Sequence, residues 1–177
     1  MWRTTTIALA LTLTSAAQAQ YLAEQRAPNG VEDLFHAGER AYRSGDHQTA
    51  ITLFTQVLEH DPEHLNAYLQ RGFCHGRLGE HEQAVADFTA VLGRKPDHIR
   101  AYICRGAACN RLGRHQEALD DLNAAIALAP KDGEAYNNRG WAHKGLGDMA
   151  AACKDWRASH RAGNAEAKII LTNNRCK

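Results

Sequence analysis

Residues 65–98 read LNAYLQRGFCHGRLGEHEQAVADFTAVLGRKPDH, and residues 99–132 read IRAYICRGAACNRLGRHQEALDDLNAAIALAPKD. Laid over one another, the two stretches agree at Arg71/Arg105, Gly72/Gly106, Gly79/Gly113, Ala84/Ala118, Asp87/Asp121 and Pro96/Pro130. The register extends outward in both directions. Gly38, Gly72, Gly106 and Gly140 stand 34 residues apart, as do Gly45, Gly79, Gly113 and Gly147, and Ala50, Ala84, Ala118 and Ala152. Pro62, Pro96 and Pro130 close the first three units, with Asn164 near the end of the fourth. Bulk recurs at Leu34, Tyr68, Tyr102 and Tyr136, and at Phe54, Phe88, Leu122 and Trp156. A long period held in several registers is the mark of a repeat architecture.

Each series has a physical reason. Gly72 and Ala84 are small where two helices must approach closely, and Tyr68 and Phe88 fill the space beside that contact. Gly79 suits the end of a helix, because the left-handed cap conformation costs a residue without Cβ almost nothing. Pro96 cannot continue a helical hydrogen-bond ladder, so it breaks the chain after the second helix. One unit is therefore a helix, a tight turn, a second helix and a short break.

This pattern resembles the tetratricopeptide repeat, a 34-residue helix–turn–helix unit, over about residues 31–164. The resemblance implies an all-α, right-handed α-solenoid of four units at 31–64, 65–98, 99–132 and 133–164. Helices are expected near 31–43, 47–60, 65–77, 81–93, 99–111, 115–128, 133–145 and 149–162. The sequence departs from the family pattern after the turn, where His47, His81, His115 and Met149 stand in place of an aromatic. Residues 165–177 read as a C-terminal capping helix with Ala165, Ile169 and Ile170 facing the last unit and Asn164 as its N-cap. They are not expected to begin a fifth unit.

The N-terminus differs in kind. Arg3 is followed by an acid-free apolar run from Ile7 to Leu13 and then by Ala17-Gln18-Ala19, which is the layout of a secretory signal peptide over 1–19. The run is too short to span a bilayer core of about 30 Å. Residues 20–30, with Pro28, Asn29 and Gly30, read as a lead-in. Export would make the protein periplasmic in a Gram-negative host. Lys plus Arg is 21 and Asp plus Glu is 20 in the whole chain, a balance that argues against a nucleic-acid partner.

The repeats also serve as an internal alignment. Arg71, Arg105 and Arg139 are followed sixteen residues later by Asp87, Asp121 and Asp155, whereas the first unit has Ala37 and Leu53. Arg and Asp are present together or absent together, which predicts structural ion pairs, within a unit or to its neighbour. Cys153 and Cys176 lie at comparable distances on either side of the break at Gly163-Asn164, so they are the preferred disulfide pair. Cys104 and Cys109 lie about 140° apart around one helix and cannot bridge each other. Those two and Cys74 read as buried small hydrophobes. Of the ten histidines, His47, His81 and His115 form one repeat register, and no His pair comes with a third ligand at zinc-like spacing, so no metal site is expected.

The resemblance further implies a binding groove along the first helices of the units. Carried onto this chain, its positions are Phe35, Glu39 and Arg43; Leu69, Phe73 and Arg77; Ile103, Ala107, Asn110 and Arg111; and Asn137, Asn138, Trp141 and Lys144. Aromatic residues there predict a contact surface. The Arg row predicts either an acidic or carboxylate element in the ligand, or only compensation of the helix dipoles. The Lys/Asn/Arg carboxylate-clamp set of some family members is matched only at Asn138 and Arg100, and is not implied. No phosphate loop, nucleophile elbow or HExxH helix is present, so no catalysis and no cofactor are expected. The expected function is binding of a protein or peptide partner; the alternative is self-association through end faces or a free cysteine.

Overall fold

The structure, a computed structural model, describes residues 30–176; the expected signal segment and nearly all of the lead-in lie outside them. Its helices are α1 (Val31–Arg43), α2 (His47–His60), α3 (Leu65–Leu78), α4 (His81–Arg94), α5 (Ile99–Arg111), α6 (His115–Leu128), α7 (Gly133–Gly145), α8 (Met149–Arg161) and α9 (Glu166–Asn173). Consecutive helices pack against each other throughout. Neighbouring first helices also touch, α1 with α3, α3 with α5 and α5 with α7, while second helices make no comparable contact among the described residues. The first-helix side is therefore the tighter, concave side of a right-handed α-solenoid. No helix among the described residues is long and apolar enough to cross a membrane.

The first glycine series and the second bulky series are two halves of one device. A Cβ on Gly38 would lie 2.6 Å from the Phe54 ring, on Gly72 2.9 Å from Phe88, on Gly106 2.8 Å from Leu122 and on Gly140 2.4 Å from Trp156. The large side chain of each second helix lies flat on the bare backbone of its first helix and is buried there. The second glycine series sits in the tight turns with positive φ, from 75° at Gly113 to 85° at Gly45. The first helices α3, α5 and α7 begin on side-chain caps that the sequence reading did not single out. His64 Nδ1 accepts the Ala67 amide, His98 Nδ1 that of Ala101, and Asp132 Oδ1 that of Ala135.

The arginine–aspartate pairs have one geometry in three units. Arg71 donates to both carboxylate oxygens of Asp87 at 3.0 and 2.7 Å, Arg105 to Asp121 at 2.8 and 2.7 Å, and Arg139 to Asp155 at 2.7 and 2.7 Å. The remaining guanidinium nitrogen reaches back to the second helix of the preceding unit, at Thr55 (3.0 Å), Thr89 (3.0 Å) and Asn123 (2.8 Å). One arginine thus ties three helices, both within a unit and across the seam. Among the described residues no second helix precedes unit one, the unit that carries Ala37 and Leu53 in place of the pair.

The last turn of the stack departs from expectation in its facing. Ala165 is exposed and Ile169 is 64% exposed, while Ala167 is buried and Ile170, Leu171 and Asn174 are partly covered. Asn164 Oδ1 accepts the Glu166 amide at 3.1 Å, and a Cys153–Cys176 disulfide holds the other end. These two anchors set the rotation of α9 and turn the 167, 170, 171, 174 stripe inward. Ala167, three residues after Asn164, repeats Ala135, three residues after Asp132. α9 thus covers the end of the last unit as a capping helix, through a stripe rotated from the expected one.

Candidate functional site

Between α3 and α5, on the concave side, lies a cleft of about 300 Å³. It exists because two positions are small. Ala107 occupies the register that carries Phe73 and Trp141 in the units on either side, and Gly76 occupies the one that carries Tyr42, Asn110 and Lys144. Nothing lies within 4 Å of a Cβ built on Gly76. The floor is apolar, made by Ala84 and Phe88 of α4 with Ala108 of α5, and the Phe73 ring stands over it, tilted against Phe88 at 5.6 Å. Arg77 and Arg111 flank the cleft from the last turns of α3 and α5, and Arg100 closes it from the first turn of α5. His81 completes the wall.

Among the described residues no carboxylate lines this cleft. Arg100 is held by Glu134 at 2.5 Å and lies 5.9 Å from the Phe73 ring centre. Among the described residues, Arg77 and Arg111 hold no acid. Arg71, Arg105 and Arg139, which face second helices, have carboxylate partners there, and Arg94 at the end of α4 and Arg114 at the start of α6 pair with Glu63 and Glu117. Burial pushes the Cys104 thiol in the cleft up to about 11, with the nearby Arg100 charge pulling the other way. Cys104 is therefore a neutral, weakly polar surface and not a nucleophile.

The residues expected in the groove divide into three groups. Phe73, Arg77, Ala107 and Arg111 meet in the cleft. Phe35, Leu69, Ile103 and Asn137 form a different register, the seam between units. Phe35 is only 8% exposed, stacked on Phe54 and on the capping His64, and Ile103 is 1% exposed beside Ala125 and Ala135. Leu69 packs on the Phe88 cluster, and the Asn137 side-chain oxygen is buried. Phe35 and Ile103 are thus core residues, because each first helix must bury one apolar side chain against the next unit. Apolar residues at three of these four positions were the signal.

The third group belongs to the C-terminal end or the rim. Trp141, 39% exposed, meets Trp156 edge-on at 5.3 Å. Lys144 lies 4.9 Å above the Trp141 ring and donates to Asn174 at 2.7 Å, tying α7 to the end of α9. The carbonyl of Asn138 accepts from Asn110, Glu39 pairs with His36, and Arg43 is exposed outside the cleft. Sequence reading missed Gly76 and His81 as cleft residues, and noted Arg100 only as a clamp-type groove position. Of the free cysteines, Cys74 and Cys109 are buried and Cys104 is partly exposed in the cleft. No group of His, Cys, Asp or Glu side chains among the described residues is arranged to hold a metal ion.

The Tetratricopeptide repeat family model matches residues 35–98, 75–133 and 111–167. The chain belongs to the tetratricopeptide repeat family. Comparison with curated protein sequences finds no match. Among solved structures, "MamA 41-end from Desulfovibrio magneticus RS-1" superposes with a TM-score of 0.73 at 22% identity, over 78% of this chain and 78% of that one. "MamA MSR-1 C2" gives 0.71 at 19% identity, over 85% and 88%. "Crystal structure of MamA protein" gives 0.72 at 22% identity, over 95% and 96%. At these identities the likeness is one of fold. Tetratricopeptide repeats are generally protein-interaction modules, and that is the class of this chain.

Proposed function

We propose that this protein acts in the bacterial envelope as a non-catalytic adaptor, holding an extended segment of a protein partner on its concave side, in the cleft between α3 and α5. The observation that carries the reading is the cleft itself, an apolar floor under Phe73 kept open by Gly76 and Ala107. A preformed concave apolar site with a few placed polar groups is the usual form of a recognition site. Export is supported by the layout of residues 1–19 and by the Cys153–Cys176 disulfide, which needs an oxidising compartment.

The test is affinity capture from the native envelope fraction with three forms of the mature protein. Wild type should retain a partner that Phe73→Ala retains weakly and Gly76→Leu, which fills the cleft, does not retain. Equal capture by all three forms moves the working surface elsewhere. Self-association through an end face is the second reading, favoured by the exposure of Ile169 on the final helix. Sedimentation in which the wild type grows with concentration and Ile169→Glu stays monomeric would establish it in place of the cleft.

A further inference from the structure

We infer that the α3–α5 cleft selects acidic segments: it seats one apolar side chain of the partner against Phe73 and holds flanking carboxylates on Arg77 and Arg111. This rests on the cleft being the working surface, and adds the chemistry of what enters it. Three arginines border the cleft and, among the described residues, no acid lines it, in a chain whose acids and bases are otherwise balanced. Arg71, Arg105 and Arg139 hold acids on the second-helix side, while Arg77 and Arg111 hold none among the described residues.

Helix dipoles account for only part of this arrangement. Arg77 and Arg111 stand in last turns, where a cation is favoured, but Arg100 stands in the first turn of α5, where it is disfavoured. Arg100 is nevertheless kept at the cleft by Glu134 and the Phe73 ring. Arg100 is compensated by Glu134, so the uncompensated positive charge at the cleft comes from two sides, Arg77 and Arg111. Walls of low polarity concentrate its field, which raises both the local density and the association rate of anionic segments. Guanidinium groups with free donor edges match carboxylates with two parallel hydrogen bonds. The apolar floor adds a requirement for an aliphatic or aromatic side chain between the acids, so a fully charged polyanion fits less well than an acidic peptide with one apolar anchor.

Fluorescence anisotropy with four labelled probes tests this on the mature, disulfide-bonded protein. Three are blocked nonapeptides with a central Phe flanked by two residues on each side that are all Glu, all Gln or all Lys. The fourth is a Gln peptide ending in Phe with a free carboxylate. The Glu peptide should bind about tenfold or more tightly than the blocked Gln peptide, and the Lys peptide should not bind. Raising NaCl from about 50 to about 500 mM should remove most of that preference. Arg77→Glu with Arg111→Glu, both exposed and without acid partners, should keep the helical signal and reverse the order so that the Lys peptide binds best.

Tight binding of the free-carboxylate Gln peptide, matching the Glu peptide, would also support the inference and identify a chain terminus as the source of the anion. Equal binding of the Glu and blocked Gln peptides, both lost on Gly76→Leu, overturns the inference while leaving the cleft as a binding site. Absence of binding by all four at about 1 mM also overturns it, and capture of the partner then judges the cleft alone.

Discussion

Replacing Arg105 and Asp121 singly and together should show that the arginine–aspartate pair is a unit whose halves cannot be separated. The Asp121 side chain is 8% exposed and both its oxygens accept from Arg105. Arg105→Ala would leave a buried carboxylate without its donors and remove the tie to Thr89, at a cost of about 3–5 kcal/mol. Asp121→Ala should cost less, about 2–3 kcal/mol, because the arginine side chain is partly exposed and can swing its charge into water. Arg105→Ala with Asp121→Leu copies the Ala37/Leu53 pairing of unit one and should recover most of the loss, to within about 1–2 kcal/mol of wild type. Urea melts followed by the helical ellipticity would measure this, with constant m-values as the check that a repeat array still unfolds in one step. A double variant no more stable than the singles would refute the reasoning, since each residue would then contribute apart from its partner.

Three further outcomes follow from named contacts. Gly140→Ala should destabilise by about 1–3 kcal/mol, because its Cβ would fall 2.4 Å from the buried Trp156 indole, whereas Gly76→Ala meets nothing within 4 Å and should stabilise by about 0.5–1 kcal/mol in the same melts. Reduction of Cys153–Cys176, or Cys176→Ser, opens a loop with a sequence separation of 23 and should cost up to about 3 kcal/mol. The loss should appear in hydrogen exchange as reduced protection of α9 and its contacts on α8, with α3–α6 unchanged, and an equal loss along the stack would contradict it. Burial holds the Cys74 thiol up at about 11, so between the ordinary thiol range and that value the folded protein binds more protons than the unfolded chain. Stability should therefore fall as pH rises from about 8.5 towards 11, and Cys74→Ala should flatten that slope in melts run across the interval.

Much of the fold was legible because a repeat is its own alignment. Gly38 with Phe54 and Gly140 with Trp156 are matched pairs that size complementarity dictates, and their common spacing shows in the sequence alone. The charge pairs were readable for the same reason, since Ala37 and Leu53 replace both partners at once. The direction of the third arginine bond was not readable, although Thr55, Thr89 and Asn123 form a register, because a hydroxyl or amide at a helix surface has many local partners. The candidate site was less legible. Phe35 and Phe73 are both aromatic on first helices, yet one step around the helix separates the seam from the cleft. A cleft is defined by what is missing, and Gly76 and Ala107 draw attention only once their neighbours are placed. The facing of α9 depended on two anchors at its ends, which its own short amphipathic pattern could not override.

The most direct test of the cleft as working surface is site-specific photo-crosslinking in native cells. A crosslinker would replace Ala107 on the cleft wall or the exposed Ala86 on the second helix α4. The account predicts one partner crosslinked from position 107 and not from position 86, and lost from position 107 when Gly76→Leu is added. A partner that crosslinks from position 86 alone, or from position 107 with the cleft filled, would contradict it.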